Sequence, residues 1–240
     1  MSNLRDKLVA YYKLDGNSND SVGSDNGTDT SITYGSAYGK INQGASFNGS
    51  SSIYLSSNLG SFTDITVACW IKTSQTTQGR FVEISNGPTA FEVDVISNKA
   101  RSTVYTGSIY NCLGTSTIND NNWHLIVAVR DGSNSKIYVD GSLETTVSCA
   151  TTTIIGIAAY TCFGRHFTVT SVNYNGYLDE IGIWSRALSA DEVSQLFNSG
   201  RGLSYPFIKP NIFKRISKYI GSATSSFNPA IARRRLLLRK

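Results

Sequence analysis

Residues 123–141 have the sequence WHLIVAVRDGSNSKIYVDG, which decides the fold class of the chain. The odd-numbered residues from Trp123 to Val129 are apolar, and this period of two predicts a β-strand with one buried face. Asp140 and Gly141 follow a second apolar run at 137–139. Both residues of a two-residue hairpin turn must accept positive φ, which Asp-Gly does readily. The stretch therefore predicts an antiparallel hairpin.

The same period of two recurs on both sides of this hairpin, most clearly at 8–14 and 65–72. Shorter strand candidates lie at 52–55, 80–85, 90–96, 101–105, 135–139, 154–157 and 177–184. Asn-Gly and Asp-Gly pairs separate several of them and indicate turns. Many short strands at this spacing predict an all-β fold, a two-sheet antiparallel β-sandwich of the jelly-roll type.

One short helix is predicted to close the sandwich. Residues 189–192 form a capping box, in which Ser189 caps the helix and Glu192 reaches back to it. The apolar stripe of this helix consists of Val193, Leu196 and Phe197. Residues 198–200 are expected to end the helix, with Gly200 in a left-handed conformation.

Charge divides the chain into two predicted domains, a jelly roll at 1–204 and a basic C-terminal tail at 205–240. The tail has nine Lys or Arg residues and no acid, whereas residues 1–204 have thirteen basic and seventeen acidic residues. The net charge of +5 therefore comes from the tail, and a basic nucleic-acid-binding surface is not expected on residues 1–204.

Composition favours an extracellular or particle-surface β protein over a cytosolic enzyme. Only 16% of the residues are charged, whereas 40% are hydrophobic, which suffices for a core. No apolar run approaches the ~20 residues of a membrane-spanning helix. The first residues lack the layout of a signal peptide, so classical secretion is not expected.

The four cysteines have no short zinc or redox spacing. Cys69 falls on the apolar positions of 65–71 and is expected in the core. The pairing of Cys69, Cys112, Cys149 and Cys162, if any, is left open.

The tail is predicted to be amphipathic and to become ordered only against a partner. Docking into a larger assembly is favoured, because the tail has too many apolar residues for a pure phosphate binder; anionic membrane, nucleic acid and a disordered solubilising tail remain alternatives. The residues expected to anchor it are Ile212, Phe213, Ile216, Arg233, Arg234, Arg235 and Leu236.

Five blocks in order resemble a laminin-G-like jelly roll of the concanavalin A-like lectin/glucanase superfamily. They are residues 8–23, 44–54, 62–72, 123–141 and 176–189. The resemblance implies the sandwich fold for residues 8–200 and a glycan or another surface ligand as binding partner. Residues 205–240 lie outside it.

The resemblance raises the question of catalysis, because the superfamily includes β-glucanases, whose active strand has two Glu flanking an Asp on one face. Glu92 and Asp94 share a face of the predicted strand 90–96, but no third carboxylate follows them. We interpret this strand as having a solvated polar face, with no catalytic residues. His124 is expected to be structural. His166 lies in a predicted loop, where it either contacts a ligand or forms hydrogen bonds only within the loop.

Related jelly rolls often hold a structural Ca²⁺ where the N-terminal loop meets the closing strand, so the resemblance implies such a site here. Asp15, Asn17, Asn19 and Asp20 supply oxygens in the loop, and hard cations bind such oxygens. Asp179 has the parity of the apolar positions after it, so it is expected to point to the apolar side and to need a partner. Asp20 and Asp179 are the predicted ligands; Asx turns and hydrogen-bonded Asp explain the same residues without calcium.

Glycan binding is expected at aromatic platforms beside polar side chains. The candidates are Tyr105, Tyr110, Tyr174 and Arg165, although tyrosines also fill β proteins. The predicted function is a non-catalytic glycan- or surface-binding module, a decoration or adhesion protein at a virion (phage) or extracellular surface. The alternatives are a glucanase-type glycoside hydrolase and a purely structural capsid or fibre component.

Overall fold

The computed structural model describes residues 3–157 and 160–208, and its compact unit ends at Phe207. Two large antiparallel sheets form a sandwich, as predicted. The eight-stranded sheet has the order β14-β13-β12-β7-β17-β4-β3, with β1 also paired to β17. Its strands are β1 Leu8–Tyr12, β3 Thr33–Gly35, β4 Gly44–Asn48, β7 Asp64–Lys72, β12 His124–Asp131, β13 Asn134–Val139, β14 Ser142–Ser148 and β17 Asn175–Trp184.

The seven-stranded sheet has the order β11-β10-β9-β8-β16-β5-β2. Its strands are β2 Gly27–Thr30, β5 Ser52–Leu55, β8 Gly79–Ser85, β9 Ala90–Ile96, β10 Lys99–Tyr105, β11 Ile109–Leu113 and β16 Cys162–Phe163. A separate pair joins β6 Gly60–Phe62 to β15 Ile154–Gly156. The strands predicted at 52–55 and 90–96 are found at those bounds.

The core lies between the two large sheets, and alternate side chains of each strand fill it. Ile65, Val67, Cys69 and Ile71 of β7 are all buried there, so Cys69 lines the core as predicted. Cys69, Cys112, Cys149 and Cys162 are all free thiols. Asp140 and Gly141 have φ of 50° and 84°, which confirms the predicted hairpin turn between β13 and β14.

The outer face of the eight-stranded sheet is also apolar, and the helix α1 Ala190–Phe197 covers it. Trp70 stacks on Phe197 with ring centroids 5.9 Å apart. Both hydrogen bonds of the predicted capping box at Ser189 are present. The helix ends at Phe197, and the residues predicted to terminate it follow at once: Asn198 and Gly200 both have positive φ, of 49° and 81°. No helix within the described ranges is long and apolar enough to cross a membrane.

A β-bulge in β17 reverses the predicted direction of Asp179. The register shifts between Asp179 and Gly182, and Glu180 has φ of 53°. Asp179 is paired with Trp70, and directly paired residues share a face of the sheet. Asp179 therefore lies on the helix-covered side, whereas Ile181 points into the core. The parity argument fails because the bulge adds one residue to the alternation.

The boundary predicted at residue 204 falls inside the compact unit. Phe207 lies 5.3 Å from Tyr11 and 6.2 Å from Trp184 between ring centroids, and Arg5 donates to the carbonyl of Pro206. The predicted anchor residues, from Ile212 to Leu236, lie outside the described residues.

Candidate functional site

A cavity of about 320 Å³ opens on the outer face of the seven-stranded sheet. Its floor is polar and comes from three neighbouring strands: Glu83 of β8, Glu92 of β9 and Thr103 of β10. Its walls include Tyr105 and residues of the loop after β16. We call this the Glu83 pocket.

Strand pairing explains why the acids converge. Residue 83 of β8 lies directly opposite residue 92 of β9, which in turn lies opposite Thr103 of β10. Directly opposite side chains share one face, and two like charges there repel each other. The pair therefore requires a cation, a proton or both.

Arg80 supplies the cation. It is buried, and its guanidinium lies 2.7 Å from Glu92, 3.5 Å from Glu83 and 3.7 Å from Asp94. Arg101 completes the cluster by donating two hydrogen bonds to Asp94, of 3.0 and 2.6 Å. Glu92 and Asp94 are 9% and 1% exposed, so the predicted solvated face is instead a buried ion-pair cluster.

Glu83 supplies the proton. The residue is 0% exposed, and its Oε1 has no hydrogen-bond partner among the described residues. Burial raises the pKa of Glu83 to about 8, Arg80 opposes this shift, and Glu92 adds to it. At neutral pH the side chain is therefore a carboxylic acid, able to donate one hydrogen bond.

His166 faces the two acids from the loop after β16. Its Nδ1 accepts hydrogen bonds from the backbone N–H groups of Thr168 and Val169, both 3.1 Å long. Burial, helped by Arg80 and Arg165, lowers the pKa of His166 to about 4, so the ring is neutral. A neutral ring whose Nδ1 accepts has its proton on Nε2. This N–H points toward Oε1 of Glu83, at 3.8 Å, and Oε1 of Glu92, at 4.0 Å.

Metal binding fits these three side chains poorly. Glu83, Glu92 and His166 are the one group of three such ligands within 4.8 Å of one another in the part of the chain that the structure describes. A metal ion would need a lone pair on Nε2. Because Nδ1 accepts two backbone N–H groups, the ring proton lies on Nε2 and occupies that position. Arg80 also brings a positive charge next to both carboxyl groups. The arrangement suits hydrogen bonding to a ligand instead.

The rim of the pocket is apolar. Phe167 stacks on His166 at 4.7 Å between ring centroids, and Tyr160 packs against Phe167 edge-to-face at 4.6 Å. Ile109 stands on the opposite side and is 65% exposed. Polar groups on the floor with aromatic and aliphatic walls are typical of small-molecule binding pockets.

Comparison with known proteins decides the family. Residues 47–194 match the family model described as the concanavalin A-like lectin/glucanases superfamily. The chain belongs to this superfamily. A segment of 96 residues, 38% of the chain, is 32% identical to Neurexin 1 of Drosophila melanogaster; the match spans 5% of the length of that relative.

Solved structures share the superfamily fold. Domain 4 of AbnA, a GH43 extracellular arabinanase from Geobacillus stearothermophilus solved with arabinotriose, aligns with a TM-score of 0.66 at 24% identity, over 78% of this chain and 97% of that domain. The binding domain of Paraclostridial Mosquitocidal Protein 1 aligns with a TM-score of 0.64 at 19% identity, over 81% of this chain and 52% of that one. At these identities the likeness concerns the fold.

The predicted ligand-binding residues of this superfamily member separate into two groups. Tyr105 lines the Glu83 pocket, and Arg165 lies beside it, with its guanidinium 5.7 Å from the ring centroid of Tyr54. Tyr110 instead packs against the core, because it is paired with the buried Val104. Tyr174 is fully buried between Phe47 and Phe81, and its hydroxyl donates to backbone carbonyls. Tyr174 is therefore out of reach of a ligand, and Tyr110 is outside the residues that line the Glu83 pocket.

The two predicted calcium ligands differ in their surroundings. Both carboxylate oxygens of Asp20 accept backbone N–H groups, from Tyr11, Val22, Gly23 and Asp25. Asp179 accepts the N–H groups of residues 40 and 41 with Oδ2, while its buried Oδ1 has no partner among the described residues. Burial raises the pKa of Asp179 to about 9, and Glu180 adds to the shift. Calcium at Asp179 stays a prediction.

His124 lies on the other sheet, between two carboxylates. Its Nδ1 is 2.8 Å from Asp140 and its Nε2 is 3.0 Å from Asp120, and the hydrogen bond with Asp140 raises its pKa. These contacts hold the loop before β12 to the hairpin turn after β13.

Sequence reasoning missed Glu83, Phe167 and the pairing of Glu83 with Glu92. One signal was available, because counting outward from the turn at Gly87 places residues 83 and 92 opposite each other. The loop residues His166 and Phe167 approach this pair only through the long connection after β16, which no local pattern reveals.

Proposed function

We propose that the chain is a non-catalytic carbohydrate-binding module that holds its glycan in the Glu83 pocket. Support comes mainly from the lining of the pocket, which combines its polar floor with the apolar rim of Tyr105, Phe167 and Ile109. A sugar ring offers hydroxyl groups to such a floor and C–H faces to such walls. The arabinotriose bound to domain 4 of AbnA agrees with this class of ligand.

Glycoside hydrolysis is the competing function, and the approach of Glu83 and Glu92 favours it. Retaining glycosidases place an acid and a nucleophile about 5–5.5 Å apart. Here both carboxyl groups contact Arg80, and Glu83 is fully buried beneath the floor. We therefore favour binding over turnover. Release of reducing sugar from a polysaccharide panel, abolished in Glu92→Gln, would decide for the hydrolase.

A glycan array screened with the full chain tests the binding function. We expect Tyr105→Ala to abolish any signal, because the ring walls the pocket. Tyr38→Ala is the matched control, since Tyr38 packs against Tyr177 at the eight-stranded sheet. An array without any response, or a signal that Tyr105→Ala leaves intact, would contradict the proposal and favour a purely structural role.

The basic tail is proposed to attach this module to a larger assembly, of which a virion surface is the form favoured here. Support comes from the segregation of nine basic residues into 205–240. Removal of residues 209–240 keeps Phe207 on its aromatic neighbours and should leave a folded, glycan-binding module. That truncated chain should no longer join its assembly in a co-sedimentation assay; continued incorporation would refute the anchor.

A further inference from the structure

The charges around the Glu83 pocket restrict the kind of glycan that fits. The residues described as lining it include two acids, Glu83 and Glu92, and the neutral His166, but no Lys or Arg. A ligand that enters therefore meets acceptors and neutral donors before any cation.

Nearby cations are already engaged. Arg80 lies beneath the acids and contacts Glu92, Glu83 and Asp94. Arg101 forms its two hydrogen bonds with Asp94. Arg165 lies over Tyr54 and donates from Nε to the carbonyl of His166. None of these three guanidinium groups is directed at the interior of the pocket.

The three polar groups of the floor are spaced for an inserted hydroxyl. Nε2 of His166 lies 3.8 and 4.0 Å from the oxygens of Glu83 and Glu92, distances too long for direct hydrogen bonds. An alcohol oxygen beside them accepts from Nε2 of His166, and its O–H donates to Glu92, while the buried Glu83 lies behind both groups. A carboxylate or sulfate ester has no proton to donate, so it would face Glu92 as an unpaired buried charge.

We infer that the Glu83 pocket recognises an uncharged sugar through a hydroxyl held by His166 and Glu92, and that it rejects uronic, sialic and sulfated sugars. This inference rests on the proposed glycan-binding function and narrows its ligand class.

Calorimetric titration of the full chain with pairs of an acidic sugar and a neutral counterpart tests the inference. Suitable probes are trigalacturonate and its methyl ester, 3′-sialyllactose and lactose, and glucuronosyl-xylotriose and xylotriose, with arabinotriose as a further neutral probe. We expect binding of neutral members only, and a loss of about tenfold or more in His166→Ala, which leaves buried acceptors without their donor. Phe167→Ala removes the adjoining wall and serves as a second pocket variant.

Glu92→Gln gives the complementary result. It removes the closest partner of Arg80 and the charge that repels anions, so acidic probes should bind more tightly to this variant than to the wild type. Thermal unfolding of each variant verifies that it is folded.

The outcomes separate the inference from the function on which it rests. Binding of acidic probes that His166→Ala or Phe167→Ala abolishes would keep the glycan-binding function and overturn the neutral-sugar inference. Absence of binding to every probe, or binding that neither variant affects, would overturn both.

Discussion

Glu83 lies directly opposite Glu92 across the β8–β9 pair, and both side chains contact the same buried Arg80. Two acids in register would repel each other, so the cluster needs the guanidinium together with a proton on Glu83. Burial raises the pKa of Glu83, and Glu92 adds to the shift, whereas Arg80 opposes it; the buried Oε1 of Glu83 has no hydrogen-bond partner among the described residues.

The stability of the fold should depend on pH through the buried Glu83. Since the folded pKa of Glu83 is about 8 and its ordinary value is 4.5, the stability that the protonated form contributes is complete below pH 4.5 and is lost as pH rises to about 8. Glu83→Gln, which stays uncharged, should gain on the order of 2 kcal/mol over wild type between pH 5 and 9.

Urea unfolding at several pH values measures this difference. Asp64→Asn, at an exposed acid of β7, is the matched control and should show no such gain. The groups facing Glu83 are Arg80, Glu92, His166, Cys162 and Tyr54. Parallel stability curves for Glu83→Gln and wild type would contradict a protonated Glu83.

Arg80→Met should destabilise the fold by about 3–5 kcal/mol at pH 7, because it leaves buried carboxyl groups without their cation. Arg101→Met should cost less, since Arg101 contacts Asp94 alone within the cluster. Chemical denaturation of both variants checks the order. Near pH 4 the cost of Arg80→Met should shrink as Glu92, whose pKa is raised by burial, gains a proton, and equal losses at pH 4 and 7 would contradict the ion-pair account.

Much of this fold follows from sequence patterns that are local. The period of two at β7 and β12, the Asp140-Gly141 turn and the capping box at Ser189 each depend on residues close together in the chain. Parity arguments fail at the bulges: one at Asp179 reverses its direction, and another between Arg80 and Val82 shifts the register of β8. Tyr174 was misplaced because aromatic residues at strand ends look alike until tertiary packing buries one of them.

The candidate site was harder to predict, because its groups come from distant parts of the chain. Tyr105 was identified by its residue type, and Glu92 by its strand. Neither pattern revealed that Arg80 neutralises the acids or that His166 is brought over them by the loop after β16. Burial, which sets the pKa values of Glu83 and His166, is a property of the assembled sheet face.

Ser189→Ala should destabilise the fold by about 1 kcal/mol, because the N-cap hydroxyl accepts the N–H of Glu192. Ser194→Ala, at an exposed position of the same helix, is the control and should change stability little. The difference in urea midpoint between the two variants measures the contribution of the cap. Equal midpoints would mean that packing on Trp70 alone holds α1.

Asp179→Asn should stabilise the fold increasingly as pH rises from neutral to about 9, because the folded pKa of Asp179 is about 9 and its stabilising protonated form is lost as pH rises. The amide oxygen can still accept the N–H groups of Lys40 and Ile41. Thermal scans across this pH range measure the gain, and a variant less stable than wild type at pH 9 would contradict it.

The same scans test calcium at Asp179. A rise in Tm with added Ca²⁺ that Asp179→Asn removes would support calcium at this residue. An equal response of both proteins would refute it.

Backbone amide NMR of the isotopically labelled full chain tests the central claim most directly. The titrant is the neutral oligosaccharide that binds most tightly in the calorimetric panel of acidic and neutral sugars. Shifts should cluster at Tyr105, Glu92 and the loop around His166, with the His166 side-chain Nε2–H also perturbed. Shifts confined to other edges of the sandwich, or none for any neutral sugar, would contradict a glycan-binding Glu83 pocket.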